Sequence, residues 1–330
     1  NKPKKNYGVS YAKIIDKNIE EKTVDTLLQS GLEYTEKGLI NFESVINPRQ
    51  IAGKNIVFTN QTNGEILTKI ESKKNFELKE KEVAQGIVGD PDKAFVFSAE
   101  AKFNDTEKKL LFDYYTSVGN YCGGEKRGLI AYLNKEVESI ELMPNIDRQL
   151  ESYRSQLKNR REVKNGSIKW FHLHWPRDKK FFEKNGKIIS AIRTSRPSCF
   201  YTESAYYGSR AMNFIKTNRI NLKYLTGLLN SRLSYFWLKN KGKQLGDLLQ
   251  IDKGPLLNIP IIKPSEEIQD KVAILVDKAT KLYQDYRNTS PNTDKWHLLK
   301  SEIAKVEKKI DEMIYTLYEF TAEEIRTIES

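Results

Sequence analysis

Cysteine and histidine are scarce in this chain: two cysteines, Cys122 and Cys199, and three histidines in 330 residues. Two cysteines build neither a disulfide framework nor a zinc site, which points to a reducing compartment. No window of about 18 apolar residues occurs, so no transmembrane helix is expected. The opening Asn1-Lys2-Pro3-Lys4-Lys5 lacks the apolar stretch of a signal peptide, and the missing initiator methionine fits a fragment of a longer chain. The GxxxxGK[ST] spacing of a phosphate-gripping loop is absent, even from the Gly-rich run 119–128, which excludes an ATP site of that type. So few His and Cys assemble no convincing nucleophile and base.

What is abundant is positive charge in one place. The net charge is +11, yet residues 148–253 hold 23 Lys and Arg against 7 Asp and Glu, and the remainder holds 32 against 37. The same middle segment carries 15 of the 35 aromatic residues and three of the four Trp. A basic stretch between near-neutral flanks is the footprint of a polyanion-binding domain, though a solvated basic face has the same composition. Interleaved aromatics favour nucleic acid.

Periodicity sets the elements. Residues 11–15, 56–59 and 65–70 read as strands, with turn chemistry at 60–64, and residues 23–28 as a short helix. Residues 94–97 and 129–133 read as strands and 108–115 as a helix. A helix runs from Pro144 to about Asn159. Residues 187–192 and 212–215 are β-branched or apolar strands, and 224–238 carries Leu225, Leu228, Leu229, Leu233 and Phe236 at helical spacing. Residues 256–262 read as an edge or terminal strand because of Pro260. Beyond Pro264 two apolar stripes, Ile268 to Tyr286 and Trp296 to Leu317, are joined by a breaker at 288–294, which predicts an antiparallel helical hairpin. Ser265 is its expected N-cap, and Thr321-Ala322-Glu323-Glu324 is a capping box.

Two metal patterns weaken on inspection. Pro91-Asp92 with Glu100-Ala101-Lys102 spells a magnesium-nuclease motif, but on a single strand Asp92 and Glu100 would lie roughly 26 Å apart. His172 and His174 would share one side of a strand, but no Cys or carboxylate cluster completes a site.

The order of these pieces resembles the TaqI-like C-terminal specificity domain, the target-recognition domain of type IIG restriction-modification enzymes and related adenine-N6 DNA methyltransferases. The resemblance rests on the turn Gly86-Ile87-Val88-Gly89-Asp90, on Pro144-Asn145-Ile146, and on Trp170-Phe171-His172-Leu173-His174-Trp175-Pro176-Arg177. It rests further on Lys187-Ile188-Ile189, Gly227-Leu228-Leu229-Asn230-Ser231, and Leu257-Asn258-Ile259-Pro260-Ile261, with Gln269 in the helix that follows. It covers residues 78–330 and is most specific over 144–277. The catalytic tetrapeptide Asn-Pro-Pro-Tyr and a glycine-rich dinucleotide fingerprint are both absent. The resemblance therefore implies a recognition module with no catalytic residues and no cofactor in this chain. S-adenosylmethionine is expected for a parent methyltransferase domain.

The expected fold is α+β, a mixed-sheet target-recognition domain followed by an antiparallel, coiled-coil-like helical hairpin. The expected divisions are residues 1–77, a small α/β segment and candidate methyltransferase tail; 78–262, the recognition domain; and 263–330, the helical spacer. Arg193, Arg196 and Arg210, with Tyr201, Tyr206 and Tyr207, are the candidates for base reading, the tyrosines being equally suited to packing a sheet. Arg177 suits bidentate contact with guanine or phosphate. Lys126, Arg127, Arg160, Arg161, Lys179, Lys241, Lys243 and Gln244 are candidates for gripping DNA; Lys126 and Arg127 fit a plain surface turn as well. The expected partners are double-stranded DNA and a methyltransferase domain, with or without a nuclease, in cis or in trans, in a prokaryotic cytoplasm and away from membranes. The alternatives are a type I-like specificity subunit and an RNA-binding or adaptor protein built on the hairpin.

Overall fold

The computed structural model describes residues 61–330 and, before them, the backbone of two antiparallel strands, β1 (Tyr7–Ile14) and β2 (Leu39–Ile46). β1 covers most of the strand expected at 11–15; the expected helix at 23–28 and strand at 56–59 lie outside the described residues. The chain divides into two compact units, one of Asn1–Lys74 with Phe320–Ser330 and one of Asn75–Glu319.

In the first unit, residues expected as a turn and a strand form helix α1 (Gln61–Lys73) instead. Ile66, Leu67 and Ile70 are its buried residues, and that i, i+1, i+4 spacing is one helix face. The alternation that suggested a strand was local and lost to this face.

The second unit is α+β. β3 (Val83–Gln85) and β4 (Val96–Phe97) are short, and the 94–97 strand shrinks to two residues because Asp92–Ala94 form a 3-10 turn. The expected helix at 108–115 is corrected. A single turn, α2 (Asp105–Lys108), is opened by an Asn104–Glu107 capping box, and the rest is strand β5 (Leu111–Tyr115). Pairing on both sides decides this, because β5 lies between β6 (Lys126–Ala131) and a later strand. The helix expected from 144 is broken into α3 (Pro144–Glu151) and α4 (Arg154–Lys158), followed by one turn, α5 (Arg161–Lys164). Glu107, fully buried, accepts from Asn145 N (2.6 Å) and Ile146 N (2.9 Å) and so caps α3 from another element.

The strands β7 (Lys187–Ala191), β8 (Arg193–Thr194), β9 (Cys199–Thr202), β10 (Tyr207–Gly208) and β11 (Met212–Ile215) follow. Two four-stranded sheets result, ordered β10-β5-β6-β4 and β3-β11-β7-β9, and they share one apolar core with Ile130, Phe182, Ile189 and Phe214. Gly86 lies where backbones cross: a Cβ there would stand 2.1 Å from Ser209 O. The expected helix 224–238 is two helices, α6 (Leu222–Asn230) and α7 (Arg232–Lys241), because Ser231 turns extended and its hydroxyl accepts from Ser234 N. A third sheet, β12 (Lys243–Leu245), β13 (Leu248–Gln250) and β8, follows. The expected strand at 256–262 is one turn of helix, α8 (Lys253–Leu257), after which Ile261 bridges Phe76.

Helices α9 (Glu266–Arg287) and α10 (Asp294–Leu317) form the expected hairpin, with Thr293 capping α10 through Trp296 N. Ser265 stands at the N-cap of α9 without a side-chain bond. Gly227 lets α6 approach α9 closely, since a Cβ there would lie 3.0 Å from Val272. α11 (Ala322–Glu329) opens on the Thr321–Glu324 capping box and belongs to the first unit, where Glu324 pairs with Lys69 at 2.7 Å.

Candidate nucleic-acid interface

The strand register of the small sheet sets the first part of the site. Lys243 is the cross-strand partner of Gln250, and Gln250 that of Arg193, so the three stand in one row. Partners across a ladder share a face. Arg193 Nε donates to Gln250 Oε1 (2.9 Å), Gln250 Nε2 donates to Asp252 Oδ1 (2.6 Å), and Lys243 Nζ pairs with Asp252 Oδ2 (3.2 Å). The row is thus a fixed strip with its two cations exposed at either end. Beside it, Arg196 and Lys239 both lie over the Tyr235 ring, at 5.5 and 6.0 Å, and Lys241 lies over Trp237 at 5.0 Å. Gln244 donates to Lys239 O (2.7 Å), which holds the hairpin against the end of α7. Lys239 and Lys241 also suit the negative end of that helix.

The strip continues beyond β8. Ile192 N donates to Ala211 O (2.9 Å), so Arg193 and Arg210 flank the two residues of one backbone bridge. Arg210 and Arg127 line a common depression of about 580 Å³ with Lys93, Tyr114, Thr116 and Ser209. Arg127 Nε donates to Thr116 Oγ1 (3.3 Å), while Lys126 is paired with Asp113 at 2.6 Å. Gln85 donates to Arg210 O (2.8 Å) and accepts from Arg177 Nη2 (3.2 Å). Arg177, at φ 63°, lies 5.0 Å over the half-exposed ring of Trp175. Burial pushes its guanidinium below the usual arginine value. Lys243, Gln250, Arg193, Arg210, Arg127, Gln85 and Arg177 therefore form one continuous band. Gln85 and Gln250, which orient its arginines, carry no signal in the sequence, because each partner is 57 or more residues away.

Other sequence candidates lie elsewhere. Arg160 is buried, and its guanidinium donates to the carbonyls of Gly89, Leu157, Trp170 and His172; it staples the loop at 170–172, with four of its five N–H groups committed to backbone. Tyr206 and Tyr207 are buried and stack on Tyr115 (3.9 Å) and Phe112 (4.1 Å). Burial pushes both phenols well above their usual value. Of the alternatives open in the sequence, these two tyrosines pack. Tyr201 is half-buried, with its hydroxyl on Glu203 at 2.6 Å. Lys179 lies over Phe112 and near Glu183, and Arg161 is an exposed partner of Glu162. The segment around the histidines is not a strand, and they do not come together. His172 accepts from Lys169 N and bonds Val137 O (2.8 Å), whereas His174 stands 3.1 Å from both Asp90 and Glu162. Asp92 of the nuclease-like pattern accepts from Gly89 N (2.7 Å) and serves its turn.

Residues 126–261 match the family model of the TaqI-like C-terminal specificity domain, the resemblance read in the sequence. Among curated proteins the chain is 27% identical over 173 residues to the type II methyltransferase M.HincII of Haemophilus influenzae, covering 48% of this chain and 34% of that protein. It is 25% identical over 218 residues to the type II methyltransferase M.HindII of Haemophilus influenzae strain Rd, covering 60% of this chain and 41% of that one. The chain thus spans only about a third to two-fifths of these relatives' lengths. Its fold resembles that of the type IIL restriction-modification enzyme MmeI, solved in complex with DNA, with a TM-score of 0.54 and 16% identity over 90% of this chain and 39% of that one.

Proposed function

We propose that this chain is the DNA target-recognition part of a type IIG-like restriction-modification enzyme, and that the arginine–glutamine band reads double-stranded DNA for an adenine-N6 methyltransferase domain outside it. The observation that carries the reading is the band itself. Arginine forks held by glutamines 85 and 250 lie along loops and short strands of a segment that matches a specificity domain. A guanidinium oriented in this way suits bidentate bonds to guanine O6 and N7 in the major groove. Arg193, Arg196, Arg210 and Arg177 take that role in our reading, and Arg127, Lys241, Lys243 and Gln244 hold phosphates.

The working division is 1–77, 78–262 and 263–330, with the α9–α10 hairpin orienting the recognition domain or meeting a partner helix. S-adenosylmethionine does not fit this chain's residues. The sequence lacks both the catalytic tetrapeptide and the glycine-rich fingerprint, so in this reading the cofactor belongs to the parent methyltransferase domain. In this reading the partner is a methyltransferase domain, with or without a nuclease, and the place is a prokaryotic cytoplasm. No helix among the described residues is long and apolar enough to cross a membrane.

The test is selection of bound duplexes from a randomised pool at two salt concentrations. Enrichment of one short motif that survives the higher salt supports the reading. Salt-sensitive retention with no motif reduces it to backbone binding, and no retention refutes it.

A further inference from the structure

Two large apolar side chains face each other in solvent. Leu245 is 53% exposed and Leu248 41%, and they are cross-strand partners on the hairpin β12–β13. Gly246 and Asp247 close that hairpin, Gly246 at φ 60° with open space around it, so no bulky group stands ahead of the leucines. Residues two apart on a strand share a face. Leu245 and Leu248 therefore lie on the face of Lys243, Gln250 and Arg193, one step nearer the tip, while Leu249 on the opposite face is buried. An exposed apolar pair directly ahead of a cationic row is an arrangement that a merely solvated hairpin does not need.

We propose that this tip is an apolar wedge: Leu245 and Leu248 enter an opened base step of the bound duplex while Lys243 and Lys241 behind them hold the flanking phosphates. The inference rests on the proposed DNA function and adds the mode of contact. Charge complementarity selects the occupant. Lys239, Lys241 and Lys243 surround the base of the hairpin and suit the phosphate rails, which leaves the tip and its two leucines to reach past them into a groove. Within a groove, apolar surface is offered by the bases, and most fully where two of them part. Opening a step costs stacking energy, so a duplex already opened by a bulge binds a wedge more tightly.

The experiment measures affinity of the full chain at low salt for one short duplex, perfectly paired or carrying a central single-nucleotide bulge. The unmodified protein is expected to prefer the bulged duplex by about tenfold, and L245A/L248A to bind both alike. Leu245→Met with Leu248→Met, which keeps apolar bulk, is expected to retain the preference. Melting curves confirm that each variant is folded, since both side chains are solvent-exposed. Equal binding of the two duplexes by the unmodified protein, or a preference that survives in the alanine variant, overturns the wedge and leaves the DNA reading standing. Failure to bind either duplex overturns both. Retention on anionic vesicles that the alanine variant loses, with no preference between duplexes, moves the tip to a lipid surface and overturns the wedge as well.

Discussion

Replacing Glu82 by glutamine removes one charge from the joint that holds strand β3, and with it Gln85, in place. Glu82 is 8% exposed. Its carboxylate accepts from Arg219 Nε (2.8 Å) and Nη2 (2.6 Å), from Thr217 Oγ1 (2.8 Å) and from Lys79 N (2.8 Å). The paired Arg219 guanidinium is the main cause that holds its carboxyl down at about 2, against an ordinary value of 4.5. A tenfold change in proton affinity is about 1.4 kcal/mol, so that drop corresponds to about 3 kcal/mol of folding stability. The folded value is depressed, so the contribution is complete above about pH 5 and is lost as pH falls through 4.5 toward 2. E82Q keeps the shape and loses the charge, leaving Arg219 on Glu77 O (2.7 Å) and the Phe76 ring. The expected result is a melting temperature lower by roughly 6–12 °C at pH 7 and a flattened loss of stability between pH 5 and 3. Thermal melts across that range check it. An E82Q protein with the original acid profile would refute the argument that this ion pair anchors β3.

Lys187 is fully buried with Nζ donating to the carbonyls of Glu183, Asn185 and Ser204, and burial pushes it down to about 8. Between pH 8 and 10.5 the unfolded chain holds the extra proton, so stability should rise with pH there, by at most about 3 kcal/mol, and Lys187→Met should remove the rise in denaturant titrations. Tyr206→Phe deletes a hydroxyl that accepts from Gly124 N and donates to Ser117 O. It should cost about 1–3 kcal/mol in chemical denaturation and leave the motif selected from a duplex pool unchanged. Arg193→Ala, and likewise Arg196→Ala or Arg210→Ala, should change which duplexes are selected more than how tightly duplexes bind on average. Lys241→Ala and Lys243→Ala should weaken all duplexes and lower the slope of log affinity against log salt by about 0.9 for each contact; equal loss on every duplex from Arg193→Ala would refute the division.

The candidate site was legible in the sequence as chemistry and not as geometry. The run of 23 cations in residues 148–253 marked the segment that carries most of the band. Arginine density at 193, 196 and 210 marked the edge strand β8 and loops beside sheet edges. Which side chains face out was not legible. Arg160 looks like any other cation in that run, yet four carbonyls from three separate stretches close around it. Tyr206 and Tyr207 sit two residues from Gly208 and Ser209 in a loop-like sequence, and only the parallel pairing of β10 with β5 turns them inward.

The sequence by itself determined the elements whose signal is long or chemically local. These are the α9–α10 hairpin, with apolar residues every three or four positions over more than five turns, the strands β7 and β11, and the Thr321–Glu324 capping box. Each is set by contacts within a few residues, which a linear chain displays. The tertiary structure decided the short pieces. Glu65 to Ile70 became helix because Ile66, Leu67 and Ile70 found a common face to bury, and Leu111–Tyr115 became strand because partners waited on both sides. Two-residue strands such as β4, β8 and β10 have almost no intrinsic preference, and their pairing energy comes from residues far along the chain. For the same reason the row Lys243–Gln250–Arg193 exists only in the folded state: its register is a property of three strands, and no one of them encodes it alone.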